Sequence, residues 1–259
     1  MHLELWSYVA ALVGGAGIGF LLAVFGGGGS VLATPLLIYV VGVRDPHVAI
    51  GTSAAAVSLN ALVALGGQAR AGQVKWPCAL VFGGAGLTGS LIGAQVAKQV
   101  DGHQLLLWFA VAMALVGVSM LLPKKAEGDP AVRLNAALTR RLAPAGLVTG
   151  LAAGFFGIGG GFLIVPGLMA ATGMTLAHAA AASLVSVVLF GAATSASYAA
   201  SGLVDWPVFA ALVIGGGLGA VAGAPMANVI GRHGKHARQL FALMVVAAAG
   251  YVAWRAITA

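Results

Sequence analysis

Long apolar runs separated by short polar connections make up most of the sequence. Most of these runs reach the roughly 18 to 20 residues that a helix needs to cross the hydrocarbon core of a bilayer. They lack the ten-residue alternation of a membrane barrel, so helix is the expected state throughout. The pattern therefore predicts an all-α polytopic membrane protein. Its ten apolar segments are residues 5–24, 30–42, 47–66, 76–97, 104–122, 143–156, 162–172, 178–200, 206–228 and 239–257.

The second half of the sequence repeats the first. Residues 25–35 (FGGGGSVLATP) match residues 156–166 (FGIGGGFLIVP) at an offset of 131, and residues 72–77 (GQVKWP) match residues 202–207 (GLVDWP) at an offset of 130. Each repeat holds about five apolar segments. We therefore divide the chain into a first membrane repeat at residues 1–123, a polar linker at 124–142 and a second membrane repeat at 143–259.

Charged residues are few and lie in the connections. Only 7% of the residues are charged, where soluble domains carry about 25%, and the net charge is +7. If the segments cross alternately, ten of the thirteen Lys and Arg residues fall on one side, which is then the cytoplasmic side. Fusing each short segment with the one before it gives a weaker division of eight to five. The basic residues do not form the stripe expected of a nucleic-acid-binding protein.

Alternate crossing also fixes the expected topology. The linker would be cytoplasmic, and both termini would lie outside. An odd number of crossings in each half would place the second repeat upside down relative to the first. The fold expected from the sequence is therefore a pair of inverted repeats.

Two segments are too short to cross a bilayer as regular helices. Residues 30–42 would extend about 20 Å as an α-helix, whereas the hydrocarbon core is about 30 Å thick. This segment and its counterpart, residues 162–172, each follow a cluster of glycines. We expect Gly-broken or re-entrant helices at both places, and the sequence leaves open whether they span the membrane.

The interiors of the apolar segments contain no formal charge. All six acidic residues lie at segment ends or in connections, and no Lys or Arg falls within an apolar run except Arg255, at the end of the last one. Cation-coupled carriers commonly use a carboxylate inside the membrane, so this absence favours an anion or a neutral solute. The sequence has no metal-ligand motif and no paired nucleophile and base, so we expect no metal, no cofactor and no enzymatic activity.

The glycine clusters are the candidate substrate site. Glycine lets the backbone leave helical geometry, and a helix that restarts after a break presents free amide groups and the positive end of its dipole. Helix starts of this kind bind oxyanions, and paired breaks in inverted repeats are typical of the central site of a secondary transporter. The alternative is that the glycines only permit close helix packing. The candidate glycines are Gly26, Gly27, Gly28, Gly29, Gly157, Gly159, Gly160 and Gly161.

Polar side chains within the apolar segments would complete the site. Hydroxyl and amide groups can hold an oxyanion without a fixed counter-charge, which suits reversible passage. Thr52 and Ser183 are equivalent at an offset of 131, and this favours them over the other candidates. The alternative for each hydroxyl is a bond to its own helix backbone. The candidates are Ser30, Thr52, Ser53, Asn60 and Ser183.

Other repeated residues have structural interpretations. Small residues at four-residue spacing predict close helix packing, and they comprise Ala85, Gly89, Gly93 and Ala97 with their counterparts Gly215, Gly219, Gly223 and Ala227. Trp76 and Trp206 begin matched segments and are expected at headgroup level. His47, after an Asp45 cap, and His178 fall in first helical turns, where an interfacial position is favoured over a substrate or proton role.

The order of these motifs resembles the sulfite exporter TauE/SafE family of membrane permeases. The resemblance rests on the doubled Phe-Gly-x-Gly-Gly-Gly/Ser…Pro motif, on the Ala-rich helix after each copy (Ala49–Ser53 and Ala180–Ser183) and on the Gly-x-Val-x-Trp turn. It spans essentially the whole chain. The two copies differ, because Ala182 stands where the first half has Gly51, so the half-sites need not be equivalent.

The resemblance implies a transporter of anions in a bacterial-type inner membrane, with sulfite, sulfoacetate and related organosulfonates as the associated substrates. The expected partners are a small anionic substrate and the lipid bilayer. Two other functions stay open, namely a passive anion channel and a non-transporting membrane partner of an enzyme complex that docks through the linker. The sequence does not fix the substrate, the direction, the coupling ion or the oligomeric state.

Overall fold

The computed structural model describes residues 5–121, 128–130, 132–157, 161–231 and 234–258, and these residues are almost entirely helical. Among them the only β pairing is a single bridge between Asp129 and Met174. The protein is therefore an all-α polytopic membrane protein, as predicted. The helices are α1 (Leu5–Phe25), α2 (Ala33–Leu36), α3 (Pro46–Arg70), α4 (Trp76–Ala97), α5 (Gly102–Leu121), α6 (Ala136–Phe156), α7 (Gly161–Thr172), α8 (Leu176–Ala199), α9 (Trp206–Gly231) and α10 (Gly234–Thr258).

Six helical stretches of the described chain are long and apolar enough to cross a membrane. They are Leu5–Val41, Pro46–Arg70, Trp76–Ala97, Gly102–Ser119, Leu176–Ala199 and Trp206–Met226. Two shorter apolar helices, Leu163–Thr172 and Ala242–Arg255, accompany them. This is the length and composition of a multi-pass membrane protein.

The first of these stretches is not one straight helix. A 3₁₀ helix (Gly26–Leu32) follows α1, and a π-helical turn (Leu37–Val41) follows α2. The chain folds back along α1, since a β-carbon on Gly29 would meet the backbone of Leu22 and one on Gly14 would meet the side chain of Leu36. The return segment, residues 26–41, is longer than the predicted 30–42, and its 3₁₀ part rises about 2 Å per residue. It brings the chain back to the end of the bundle where α1 begins.

Helices α1 and α9, one from each half, pack closely against each other through small residues. A β-carbon added to any of three glycines in α9 would press on the backbone of α1, so the two helices touch main chain to main chain. The contacts advance together along both helices, which makes the pair parallel. They are Gly215 on Leu12, Gly219 on Ala16 and Gly223 on Phe20.

The same interface recurs between α4 and α6. In the repeat α6 corresponds to α1, and α4 corresponds to α9, so each half supplies one helix to each of the two interfaces. This pair is also parallel and equally close. Its contacts are Gly146 on Phe82, Gly150 on Gly86 and Gly154 on Ser90. The close packing predicted for the small-residue ladders is therefore present in both halves.

The central pair α3 and α8 runs antiparallel. Gly51 of α3 lies against Tyr198, near the end of α8, and Gly191 lies against Ala54. Helix α3 runs parallel to α9, whose Leu212 carbonyl accepts a bond from the Asn60 amide at 3.2 Å. Helix α8 runs parallel to α4. Thus α1, α3 and α9 point one way while α4, α6 and α8 point the other, so equivalent helices of the two halves have opposite directions.

These directions define two ends of the bundle. We call the end where α3 stops and α4 and α6 start the linker face, and the opposite end, where α1 starts, the terminal face. In the described chain the linker face carries Arg70, Lys75, Arg133, Arg140 and Arg141, and the terminal face carries Arg44, Lys98 and Arg255. The basic residues therefore divide between the two faces in the sense that the sequence predicts.

The helix boundaries add detail to the predicted organisation. Asp45 caps α3, as expected, with its carboxylate accepting from the amide of His47 at 2.8 Å and Pro46 in the first turn. Helix α6 begins at Ala136 behind an Asn135 cap, inside the predicted linker rather than at residue 143. Part of the linker, residues 124–127 and 131, lies outside the described residues.

The α1–α9 contact yields a matched pair of variants. A β-carbon on Gly19 would overlap the backbone of Gly216, whereas one on Gly17 has no atom within 4 Å. We expect Gly19→Ala to lower the thermal unfolding midpoint in detergent, with a cost of about 1–3 kcal/mol from overpacking. Gly17→Ala should leave the midpoint unchanged or raise it. Equal midpoints for the two variants would contradict the close contact.

Candidate functional site

Each glycine cluster begins with one residue in the left-handed region. Gly26 has a φ of +65° and Gly157 a φ of +66°. They follow Phe25 and Phe156, where α1 and α6 end. An L-residue with a β-carbon is strained in this conformation, so glycine is required at the first position of each break. The first residue of each break thus has the same left-handed φ in both halves.

The two breaks meet in the interior. A β-carbon on Gly27 would lie 2.8 Å from the Cα atom of Gly161, the first residue of α7. Gly26 lies against the backbone of Ala180 in α8, and Gly157 lies against Ile50 in α3. Each break therefore packs on the central helix of the other half. Two further candidates, Gly159 and Gly160, lie outside the described residues.

A hydrogen bond joins the first break to α8. The amide of Gly27 donates to the Ser183 hydroxyl oxygen at 2.9 Å, and that hydroxyl donates to the carbonyl of Ala180 at 2.7 Å. The Ser30 hydroxyl donates to the carbonyl of Gly27 at 2.8 Å. All of these groups are buried. The structure therefore brings together the first break, Ser30 and Ser183, as the sequence analysis expects.

In the first half, Ser53 rather than Thr52 corresponds to Ser183. The Ser53 hydroxyl donates to the carbonyl three residues earlier, that of Ile50, just as Ser183 does. Its oxygen then accepts from Thr34 in the return segment at 2.9 Å, because the single hydroxyl hydrogen of Ser53 is already used. The offset between the central helices is thus 130 here, not the 131 of the glycine clusters.

Thr52 has a different role. Its hydroxyl oxygen accepts from the backbone amide of Asp205 at 2.9 Å, in the connection that leads into α9. This bond ties α3 to the start of α9 and lies toward the terminal face. The equivalence of Thr52 and Ser183, which followed from a constant offset, is therefore wrong at this position. The side chain of α3 that bonds to the return segment is that of Ser53.

The remaining candidates are distributed around this core. Gly28 and Gly29 are buried within the 3₁₀ helix, and Gly29 packs on the end of α1. Asn60 faces α9, where its amide group donates to Leu212 and lies against Gly216. Its carbonyl oxygen is buried without a partner. Asn60 therefore belongs to the α3–α9 contact.

Comparison with known proteins identifies the family of the chain. Residues 11–252 match the model of a family described as sulfite exporter TauE/SafE. The chain belongs to the sulfite exporter TauE/SafE family. It is 42% identical over 253 residues to a "Probable membrane transporter protein" of Xylella fastidiosa (strain Temecula1), a match that covers 96% of each chain.

More distant relatives carry the same description. The chain is 30% identical over 241 residues to the "Probable membrane transporter protein YunE" of Bacillus subtilis, covering 84% of this chain and 88% of that protein. No solved structure matches the chain significantly. Membership and these names indicate a membrane transporter rather than an enzyme.

The buried polar side chains of this TauE/SafE family member are uncharged. Among the described residues they are mainly Ser, Thr and Asn, together with the Tyr198 hydroxyl, and no buried Asp, Glu, Lys or Arg accompanies them. No group of three or more His, Cys, Asp or Glu residues in the described chain could hold a metal ion. The chemistry available at the breaks is therefore hydrogen bonding from amide and hydroxyl groups.

The two matched histidines differ in their contacts. His178 Nδ1 lies 2.9 Å from the carbonyl of Gln73, which can only accept, so this nitrogen carries the hydrogen. His47 Nδ1 is buried without a partner, and its ring lies 6.4 Å from that of Tyr198. Tyr198 and its neighbour Lys98 could not be found from the repeat, because neither has a like residue at the matched position in the other half.

The first break can be tested against another left-handed glycine. Gly42 has a φ of +88° with no atom within 4 Å of an added β-carbon, so Gly42→Ala should cost about 1–2 kcal/mol from backbone strain alone. Gly26→Ala adds an overlap with the Ala180 backbone and should lower the unfolding midpoint in detergent much further. Comparable midpoints would show that Gly26 does not pack on α8.

Proposed function

We propose that the protein is a secondary transporter of small anions, with sulfur oxyanions or organosulfonates such as sulfite or sulfoacetate as substrates. The observation that carries this proposal is the buried bond from the Gly27 amide to Ser183, at the place where the two glycine breaks meet. The family description, which names sulfite export, supports the substrate class.

Amide and hydroxyl donors suit the reversible binding of an oxyanion. A helix start offers amide groups and the positive end of a dipole, and hydrogen bonds to a charged acceptor are stronger than those between neutral groups. Ser183 already supplies an oxygen acceptor to the Gly27 amide. In the proposed mechanism an oxyanion takes the place of this oxygen, and the hydroxyl turns to donate to the anion.

No Lys or Arg among the described residues is buried, and this has a mechanistic consequence. A fixed Lys or Arg at the breaks would hold an anion tightly, because charge pairs are strong in a low-dielectric interior. Neutral donors bind more weakly and allow release on either side. The proposed site therefore favours turnover over retention.

The arrangement of the halves supports alternating access. Helix α1 packs on α9 and α4 packs on α6, so two bodies, each containing helices from both repeats, can move against each other. The breaks lie where such bodies meet, and equivalent helices run in opposite directions. A rocking motion around the breaks would open the site to one face and then to the other.

We also propose that the protein lies in the inner membrane with its linker face in the cytoplasm. The basic residues favour this orientation, since positive residues concentrate in cytoplasmic connections. Both termini and the face with Lys98 would then lie outside. This places the two ends of the transport path on defined sides of the membrane.

Flux into proteoliposomes tests the site. With labelled sulfite and an imposed pH gradient, we expect saturable uptake by the native protein and a decrease of about tenfold or more for Ser183→Ala, because a donor to a charged group is lost. Ser195→Ala is the matched control on α8, since its hydroxyl bonds only to the Ala192 carbonyl of its own helix. That variant should transport normally.

Two results of this experiment would contradict the proposal. Normal flux by Ser183→Ala would remove the Gly27–Ser183 pair from the substrate site. No flux of sulfite or of an organosulfonate by the native protein, measured against empty vesicles, would overturn the substrate class.

Cysteine labelling tests the orientation. The chain has one cysteine, the buried Cys78, which a Cys78→Ala background removes. Ala71 and Ser201 are exposed at matched positions on the linker face and the terminal face. In intact cells a membrane-impermeant maleimide should label Ser201→Cys, whereas Ala71→Cys should react only after the cells are opened. The reverse pattern would overturn the proposed orientation.

A further inference from the structure

Several hydroxyl groups on one face of α8 are buried without hydrogen-bond partners. Ser186, Thr194 and Tyr198 are fully buried, and within the described part of the chain no partner reaches the oxygen of any of their side chains. Buried polar groups are nearly always satisfied, because leaving one unpaired costs about 1–3 kcal/mol. The Oγ atom of the half-buried Ser197 is a fourth such group on α8, and this concentration on one helix requires an explanation.

Neighbouring hydroxyls show that these side chains could have bonded locally. Ser183 and Ser195 on the same helix, like Ser53 on α3, donate to the carbonyl three residues earlier. This is the ordinary solution for Ser and Thr in an apolar helix. Ser186 and Thr194 do not adopt it, so their hydroxyls remain available to another acceptor.

The unpaired hydroxyls continue a line that begins at the glycine breaks. Ser183 accepts a hydrogen bond from the Gly27 amide. At their spacing along the helix, the side chains of Ser183, Ser186, Thr194 and Tyr198 all lie within one third of the circumference of α8. Tyr198 lies fifteen residues after Ser183, which is about 22 Å along the helix. The line therefore runs from the breaks toward the terminal face.

A cation stands at the end of this line. The Lys98 ammonium group, at the end of α4, lies 5.9 Å from the centre of the Tyr198 ring. It donates to the hydroxyl of Ser201 at 3.1 Å and to the Ser197 carbonyl at 3.3 Å. A positive group at the entrance of a transport path attracts anions. Asp45 also lies on the terminal face, and its carboxylate accepts a hydrogen bond from the His47 amide.

The line lies at a contact between the two halves. Ser186 faces Gly83 of α4, with 3.4 Å between the hydroxyl oxygen and an added β-carbon, and the ring of Phe190 lies against Gly86. Helix α4 belongs to the first repeat and α8 to the second, and a movement of α8 away from α4 would separate this contact. The equivalent contact, α3 with α9, has Ala56 and Ala64 where α8 has Ser186 and Thr194. Only one of the two contacts carries the hydroxyls.

We propose that the hydroxyl row of Ser186, Thr194 and Tyr198 holds the oxyanion on its passage between the glycine breaks and Lys98. This inference rests on the proposed anion transport and names the residues that line one half of its path. When α4 and α8 move apart, the three hydroxyls donate to the anion and replace part of its hydration shell. The row makes the path toward the terminal face selective for hydrogen-bond acceptors.

The test combines flux with stability. Thr194→Val and Tyr198→Phe remove the hydroxyls with little change of shape. We expect each variant to lower sulfite flux into proteoliposomes about tenfold at low substrate concentration, the scale for loss of one donor to a charged group. Because these hydroxyls have no partner in the folded protein, the unfolding midpoint in detergent should stay unchanged or rise. Ser195→Ala is the control and should change neither quantity.

Three other outcomes would contradict the inference. Normal flux by Thr194→Val and Tyr198→Phe would overturn it and leave the proposed transport standing. Reduced flux together with a reduced midpoint would show that the hydroxyls stabilise the fold, and this would also overturn it. No flux of any sulfur anion by the native protein would overturn the proposed function and the inference with it.

Discussion

Direct contact between helix backbones across the two halves is the constraint on which the rest of the structure depends. Lipid does not drive helices together as water does, so association relies on close packing over matched surfaces. Here a glycine meets the main chain of the partner helix at successive turns, both between α1 and α9 and between α4 and α6. The positions of the central helices and of the breaks follow from these two contacts. Glycine is required there because any side chain would separate the helices.

The glycine breaks apply the same constraint in another way. At Gly26 and Gly157 the requirement is a left-handed backbone, whereas at Gly27 and Gly161 it is space for one chain to cross another. In the first break, and at the described residues Gly157 and Gly161 of the second, the backbone is buried in protein, the arrangement in which irregular backbone is tolerated at membrane depth. In the proposed mechanism the anion replaces the single hydroxyl oxygen that accepts from the Gly27 amide. A charged interior would have given stronger binding and slower release.

Periodicity and repeats predict most of this fold. Apolar length gives the helices, the duplicated motif locates both breaks, and the division of basic residues agrees with the two faces. The return segment is harder to predict, because a 3₁₀ stretch after Gly26 lengthens the chain beyond what α-helical rise allows. The sequence did not reveal that Ser53, and not Thr52, corresponds to Ser183, because a one-residue change in the offset between two aligned helices leaves no mark in composition. Tyr198 and Lys98 were missed because they break the repeat, and repetition was the signal being used.

The exchange of helices between the halves also affects how the protein can be made. Helix α1 leaves the ribosome early, yet its partner α9 is separated from it by most of the chain. Until α9 is inserted, the face of α1 that later contacts α9 lies against lipid or an insertion factor. The same is true of the matching face of α4 until α6 is inserted. Neither repeat holds its own long interfaces, so neither can form a stable half-protein. Assembly in the membrane is therefore completed only when the last helices of the chain reach the first.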